Sequence, residues 1–234
     1  MENAVAKWLE SQFRDVQDVK SATTQKESSV IFRNHDADLM VETWMNSRLY
    51  VYVLDEEIRS RTIKSTLKQN TSASIGTLFI VNRALLPEDG IVTKLQDWQD
   101  DLRVMNAGAI YAYGIVDDEL SIIQVNFGET SHRSEYECWH TTDFPFDAVS
   151  VRRRDYSTNI KGTWYIADIA SPQFKRRINE ERARQRFHYR TKHTRKVNIA
   201  PADELNAAYL ALQIEVSAGQ EVVSHIWLHN MLES

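Results

Sequence analysis

Along the first 170 residues or so the apolar positions change period repeatedly, and each change marks an element. Val5, Trp8, Leu9 and Phe13 recur three and four apart, which predicts an amphipathic first helix. Three short strands are expected next, Ser29 to Phe32, Asp38 to Trp44 and Leu49 to Leu54, with turn chemistry at Asn34-His35-Asp36 and Asn46-Ser47. The third, Leu49-Tyr-Val-Tyr-Val-Leu54, is apolar throughout, the pattern of a strand covered on both faces. Asp55-Glu56-Glu57 then reads as the acidic first turn of a helix running to about Gln69, with Ile58, Ile63 and Leu67 as its stripe. Thr77 to Val81 is a further buried strand, and Leu95, Trp98, Leu102 and Met105 mark a helix closed by Asn106-Ala107-Gly108. Ala109 to Val116 and Leu120 to Phe127 read as strands joined by Asp117-Asp118-Glu119, and the runs Glu135 to Trp139 and Gly162 to Ile169 extend or flank the sheet. Strands alternating with helices after a meander predict an α/β (α+β) fold, a mixed central sheet flanked by helices.

Charge divides the chain. The net charge of −5 conceals a tract from Lys175 to Lys196 that holds ten Lys/Arg and two Glu, a formal +8. The remainder carries 18 basic and 31 acidic side chains, a formal −13. Such a tract is expected to stay extended or loosely helical, so residues 1–172 form the main domain, 173–199 a basic linker and 200–234 a small helical unit. One cysteine in 234 residues excludes an internal disulfide framework. The charged N-terminus lacks an apolar signal core, and no run approaches the roughly 18 apolar residues of a membrane span. A cytoplasmic protein without membrane association is expected.

The order helix, three strands, helix, strand, helix, strand, strand over about residues 4–127 resembles the restriction-endonuclease-like nuclease core. That resemblance implies a Mg²⁺ site: an acid near the start of the second strand and Glu-x-Lys on the third, the carboxylates holding the ion and the lysine orienting a water. Asp38, with Asp36 as a near alternative, fits the first position. The third strand holds neither acid nor lysine, so a nuclease would need Glu42 or Glu56 as second ligand and Lys64 as a migrated lysine. The plainer reading makes Asp38 a turn residue, Glu42 a solvent-facing side chain and Glu56 and Glu57 helix-start acids. No cofactor is then expected, and Mg²⁺ only if the chain is a nuclease.

Other constellations carry less chemistry. Cys138 between His132 and His140 reads as a buried small hydrophobe, and His225 with His229 lacks a third ligand. Gly76, Gly90 and Gly108 are isolated, so there is no glycine-rich phosphate loop. Arg152-Arg153-Arg154 is a solvated loop or a basic spot near the tract.

The tract itself is the strongest electrostatic feature. Arg176, Arg177, Arg182, Arg184, Arg186, Arg190 and Lys192 would neutralise phosphates of DNA or RNA, and Phe187 and Tyr189 would stack on bases. Clamping onto an acidic partner, or plain solvation, are the alternatives. From Asp203 two helices are expected around a break at Ser217-Ala218-Gly219. Tyr209-x-x-Leu212-x-Ile214, Ala218, Val223 and Trp227 resemble the opening of a J-domain, with Gln213 and Gly219 where that family prefers Gly and Ser. Ser234 stands about where the family's His-Pro-Asp would begin, so this unit is expected not to stimulate a heat-shock chaperone. The whole arrangement resembles bacterial proteins that join an endonuclease-like domain, a basic linker and a J-like tail. The function expected is a non-enzymatic interaction protein whose basic segment binds nucleic acid or an acidic partner and whose C-terminal helices dock a protein. A Mg²⁺-dependent nuclease and a chaperone-related adaptor are the alternatives.

Overall fold

The computed structural model describes residues 4–24, 37–130 and 134–181, and these form an α+β fold built on one mixed sheet. Helix α1 (Ala4–Asp15) leads into strands β1 (Val19–Thr24), β2 (Leu39–Thr43) and β3 (Arg48–Leu54), an antiparallel meander. Helix α2 (Ser60–Ser72) crosses over to β4 (Gly76–Asn82), which lies parallel to β3 from Leu49↔Gly76 to Leu54↔Val81. After β5 (Val92–Lys94) and helix α3 (Asp97–Met105) come β6 (Ala109–Val116), β7 (Glu119–Glu129) and β8 (Glu135–Thr141). Strands β9 (Ser150–Tyr156) and β10 (Gly162–Asp168) close the sheet as an antiparallel hairpin. The last helix among the described residues, α4, covers 172–181.

Strand β4 is where the sheet forks. One edge runs along β3, and the other is shared by β10 at Thr77 and β6 at Val81 and Asn82. Its burial is continuous from Gly76 to Val81, because helices cover both faces. On one face Leu9 and Phe13 of α1 and Phe174 and Ile178 of α4 share a core with Leu49, Val51, Leu78 and Ile80. On the other, Ile63 and Leu67 of α2 and Trp98, Leu102 and Met105 of α3 share one with Tyr52, Leu54, Phe79 and Val81. Successive strand residues thus alternate between two cores, which is why Leu49–Leu54 has no polar member. Each such side chain contributes about 1.5–3 kcal/mol on burial.

The expected elements fall close to the observed ones with several corrections. The acids Asp55, Glu56 and Glu57 do not open α2; they sit in an exposed connection, and the helix starts at Ser60 after Ile58 has turned into the core. Strands β1, β5 and β9 were not expected. β1 reads Val-Lys-Ser-Ala-Thr-Thr, with only Val19 and Ala22 turned inward, and its ladder to β2 rather than its apolarity makes it a strand. The run Ser29–Phe32 lies outside the described residues. Asp117 and Asp118, both at positive φ (50° and 65°), form the two-residue turn between Val116 and Glu119 that matches strand twist.

The start of the basic tract is a packed helix. Ser171 caps α4, accepting the Phe174 N–H on its hydroxyl at 3.3 Å and the Lys175 N–H on its carbonyl at 3.0 Å, and Pro172 is the first helical residue. Phe174 packs edge-on to Phe144 at 5.0 Å, and Phe144 in turn to Tyr111 at 5.5 Å. Residues 173–181 of the expected linker therefore belong to the packed body. Residues 182–234, with the rest of the tract and the expected J-like helices, lie outside the described residues.

Candidate functional site

The acids that a nuclease reading requires do not all meet. Asp38 stands just before β2, its N–H donating to the Val51 carbonyl at 2.9 Å and its carboxylate accepting the Val53 N–H at 2.7 Å. It lines a cleft of about 620 Å³ with Asp55, Glu56, Glu57, Arg59 and Thr62 at the carboxyl end of β3. Tyr113 reaches this mouth through a hydroxyl that donates to Asp55; burial first, then that carboxylate, raises the phenol far above its ordinary range. Glu42 sits four residues further along β2, about 13 Å away at strand rise, opposite Arg48 and 3.5 Å from Lys20. Lys64 projects from α2 toward Asp101 of α3, at 4.0 Å. The cleft thus gathers Asp38 and Glu56, while Glu42 and Lys64 serve other pairs. Among the described residues no three His, Cys, Asp or Glu side chains come together as a metal-ligand set.

Cys138 and His140 do not form a nucleophile pair. Each turns to the Pro87 carbonyl, the thiol at 3.7 Å and the His140 Nε2 at 2.9 Å. Burial pushes the thiol up to about 12, with the Asp89 charge adding to it.

The second candidate lies between β9 and α4. Arg152, Pro172, Lys175, Arg176, Asn179 and Glu180 line an open groove of about 550 Å³. The arginine run of the sequence is strand, not loop, and successive side chains on a strand point to opposite faces. Arg152 lines the groove, Arg153 points away on the other face, and Arg154 turns inward to Asp168 at 3.1 Å.

Asp168 fixes this region. Its side chain is 9% exposed, and it accepts from Lys175 Nζ at 2.7 Å, the Arg154 guanidinium, the Tyr111 hydroxyl at 2.8 Å and the Ala170 N–H at 3.1 Å. Burial alone would raise this carboxyl; the Lys175 hydrogen bond and charge, with Tyr111 and Ala170, outweigh that and hold it below its ordinary value. The same carboxylate helps push the buried Tyr111 phenol up, after desolvation. The result is a groove whose walls, one strand and one helix, are tied together at their base by an ion cluster.

Of the tract residues named from sequence, Arg176 and Arg177 are described. Arg176 is exposed in the groove, whereas Arg177 pairs with Asp143 at 3.2 Å and lies over the Phe174 ring. Arg182, Arg184, Arg186, Phe187, Tyr189, Arg190 and Lys192 lie outside the described residues. Sequence reasoning offered Arg152 as part of a basic spot near the tract, with a solvated loop as the alternative, and missed Asp168; the signal for the groove was Ser171-Pro172 ahead of Phe174 and Ile178, a capped helix beside the arginine strand. Comparison of the chain with protein-family models, with curated proteins and with solved structures finds no match. No described helix is long and apolar enough to cross a membrane.

Proposed function

We propose that this chain is a non-enzymatic nucleic-acid-binding protein, in which a rigid α+β body carries a cationic segment. The observation that supports it is the groove lined by Arg152 and Arg176, beyond whose helix the sequence continues into the cations at 182–196. The folded basic surface is followed in sequence by further cations with Phe187 and Tyr189 among them, residue types that neutralise phosphate and stack on bases. Binding is expected to be sequence-tolerant and steeply salt-dependent, since each neutralised phosphate releases counterions. Fluorescence anisotropy of a labelled DNA duplex, with salt raised from low to moderate, tests this. Affinity should fall steeply, and deletion of 182–196 should remove most of it; binding indifferent to salt would refute the proposal.

The Mg²⁺-dependent nuclease is the second reading, favoured by one observation: Asp38 and Glu56 line the same cleft at the carboxyl end of β3. The order α1, β1 to β3, α2, β4 is consistent with an endonuclease-like core, but Val53, not an acid, stands beside Asp38. Cleavage of plasmid, single-stranded DNA or RNA in Mg²⁺ or Mn²⁺, abolished by Asp38→Ala, would establish it over the first. A chaperone-related adaptor would rest on the region from 200 on, outside the described residues.

A further inference from the structure

We infer that the groove between β9 and α4 is a phosphate-binding site for the nucleic-acid backbone, formed by the guanidiniums of Arg152 and Arg176 with the Asn179 amide as a neutral donor. The inference rests on the nucleic-acid reading above and adds to it which cations make the contact.

Charge counting treats every cation near this face alike, but the structure sorts them. Arg154 and Lys175 are committed to Asp168, at 3.1 and 2.7 Å. Arg177 is not part of the groove lining; it stands at the surface beside Asp143 and over the Phe174 ring. Arg152 and Arg176, both exposed, make no ion pair with the described residues and line the same groove from strand and helix. A committed cation adds little to phosphate binding, because its partner must first be released and solvated. A free arginine presents a planar fork of donors that matches two phosphate oxygens.

The walls are fixed, which lowers the ordering cost of binding. Lys175 and Arg154 meet on one carboxylate, so the backbones carrying Arg176 and Arg152 are held by their neighbours' ion pairs. The Ser171 cap and the buried Phe174 and Ile178 hold α4 from the other side. Glu180 is the acid of the lining. One helical turn from Arg176, it offsets part of the positive charge of the groove.

An acidic peptide would offer carboxylates to the same two forks. The nucleic-acid backbone is favoured by the stretch of chain beyond α4, a row of cations with aromatics among them rather than cations alone.

The test uses the full chain and a fluorescein-labelled DNA duplex, with affinity measured over a salt series. Each phosphate contact contributes about 0.9 to the slope of log affinity against log salt on duplex DNA. Arg152→Gln and Arg176→Gln should each lower the slope by about 1, and each should weaken binding roughly tenfold at 0.1 M salt. Both residues are exposed, so the thermal midpoint should not move. Arg177→Gln should leave the slope as it was. Arg176→Lys should keep the slope and lose affinity, because charge is retained and the fork is lost. A parent slope that is steep and unchanged in the double variant R152Q/R176Q would overturn the site while leaving the nucleic-acid reading intact. A slope that falls as much in Arg177→Gln would overturn the restriction of the contact to the groove. Displacement of the duplex by polyglutamate as readily as by unlabelled DNA of equal charge would assign the groove to an acidic protein instead. Salt-insensitive binding by the parent would remove the reading and the site together.

Discussion

Asp168 is the residue whose loss should damage this protein most for the fewest atoms changed. Asp168→Asn keeps the shape of the side chain and removes its charge, leaving Lys175 and Arg154 facing each other without a counter-ion. Removing one partner of a buried pair costs about 3–5 kcal/mol. Here the cations keep some solvent, their side chains being 32% and 26% exposed, so the lower end, about 3 kcal/mol, is expected. Two charge-assisted hydrogen bonds at about 1.5 kcal/mol each give the same figure. Against a total stability of about 5–15 kcal/mol that is a large fraction.

The assay is urea unfolding of parent, Asp168→Asn, Lys175→Met and the double variant, monitored by tryptophan fluorescence. The double variant should lose less than the sum of the singles by about 1–2 kcal/mol, since the pair's interaction is then counted once. The pH dependence has a fixed sign. A carboxyl held below its ordinary value in the folded state contributes stability at pH above its unfolded value and loses it as pH falls through the folded one. The parent's advantage over Asp168→Asn should therefore be full at neutral pH and shrink below about pH 4. A loss under 1 kcal/mol at neutral pH, strict additivity with Lys175→Met, or an advantage that survives acidification would each refute the assignment of Asp168 as the tie between β10 and α4.

Other parts of the fold yield three more expected outcomes. A Cβ on Gly76 would come within 2.8 Å of Val151 and 3.4 Å of Ala167, so Gly76→Ala should cost about 1–3 kcal/mol, with the double variant carrying Val151→Ala losing less than the sum; additive losses would show that β9 does not press on β4. Cys138 is wholly buried with its thiol pushed up to about 12, so a thiol reagent at mildly alkaline pH should label it only after denaturation, and rapid native labelling would count against its placement. Asp101 is buried under Lys64, and desolvation outweighs Ser60 and Lys64 in raising its carboxyl. Stability is therefore lost as pH rises through the folded value, and Asp101→Asn should raise the urea midpoint at neutral pH with a gain that vanishes on acidification.

The central sheet was legible because its signal is local and strong. Leu49–Leu54 and Thr77–Val81 are almost wholly apolar, and the structure gives the reason in their two cores. What was missed is what depends on neighbours. β1 is a strand by its ladder to β2, and β9, with three arginines in a row, is one by its full register with β10 from Gly162↔Tyr156 to Asp168↔Ser150. The start of α2 was misread because three acids can begin a helix by their charge, whereas here Ile58 is drawn into the core first. Helix α4 was concealed by its own charge. Phe174 and Ile178 stand at i and i+4 behind Ser171-Pro172, a complete helix start, but a tract counted as +8 invites a reading as linker. For the site, the types of residue were legible and their commitments were not. Nothing in Arg152-Arg153-Arg154 says which arginine faces a groove, which faces away and which is consumed by Asp168.

That sorting also answers an apparent objection to nucleic-acid binding, the excess of acid over base in the chain. A net charge acts at long range only where salt permits, and at 0.1 M the screening length is about 10 Å. A phosphate in the groove therefore feels the groove: two free guanidiniums, a lysine already neutralised by Asp168, and Glu180. The acids of the cleft around Asp38 line a different depression, at the carboxyl end of β3. As salt is lowered the screening length grows and the body's negative charge begins to oppose the approach of a polyanion. Affinity should then rise less steeply at the lowest ionic strengths than contact counting alone requires. A body that is acidic overall and basic in one groove would thus hold a phosphate backbone at one place on its surface and repel it from the rest. On this view the acid excess is part of the specificity of docking.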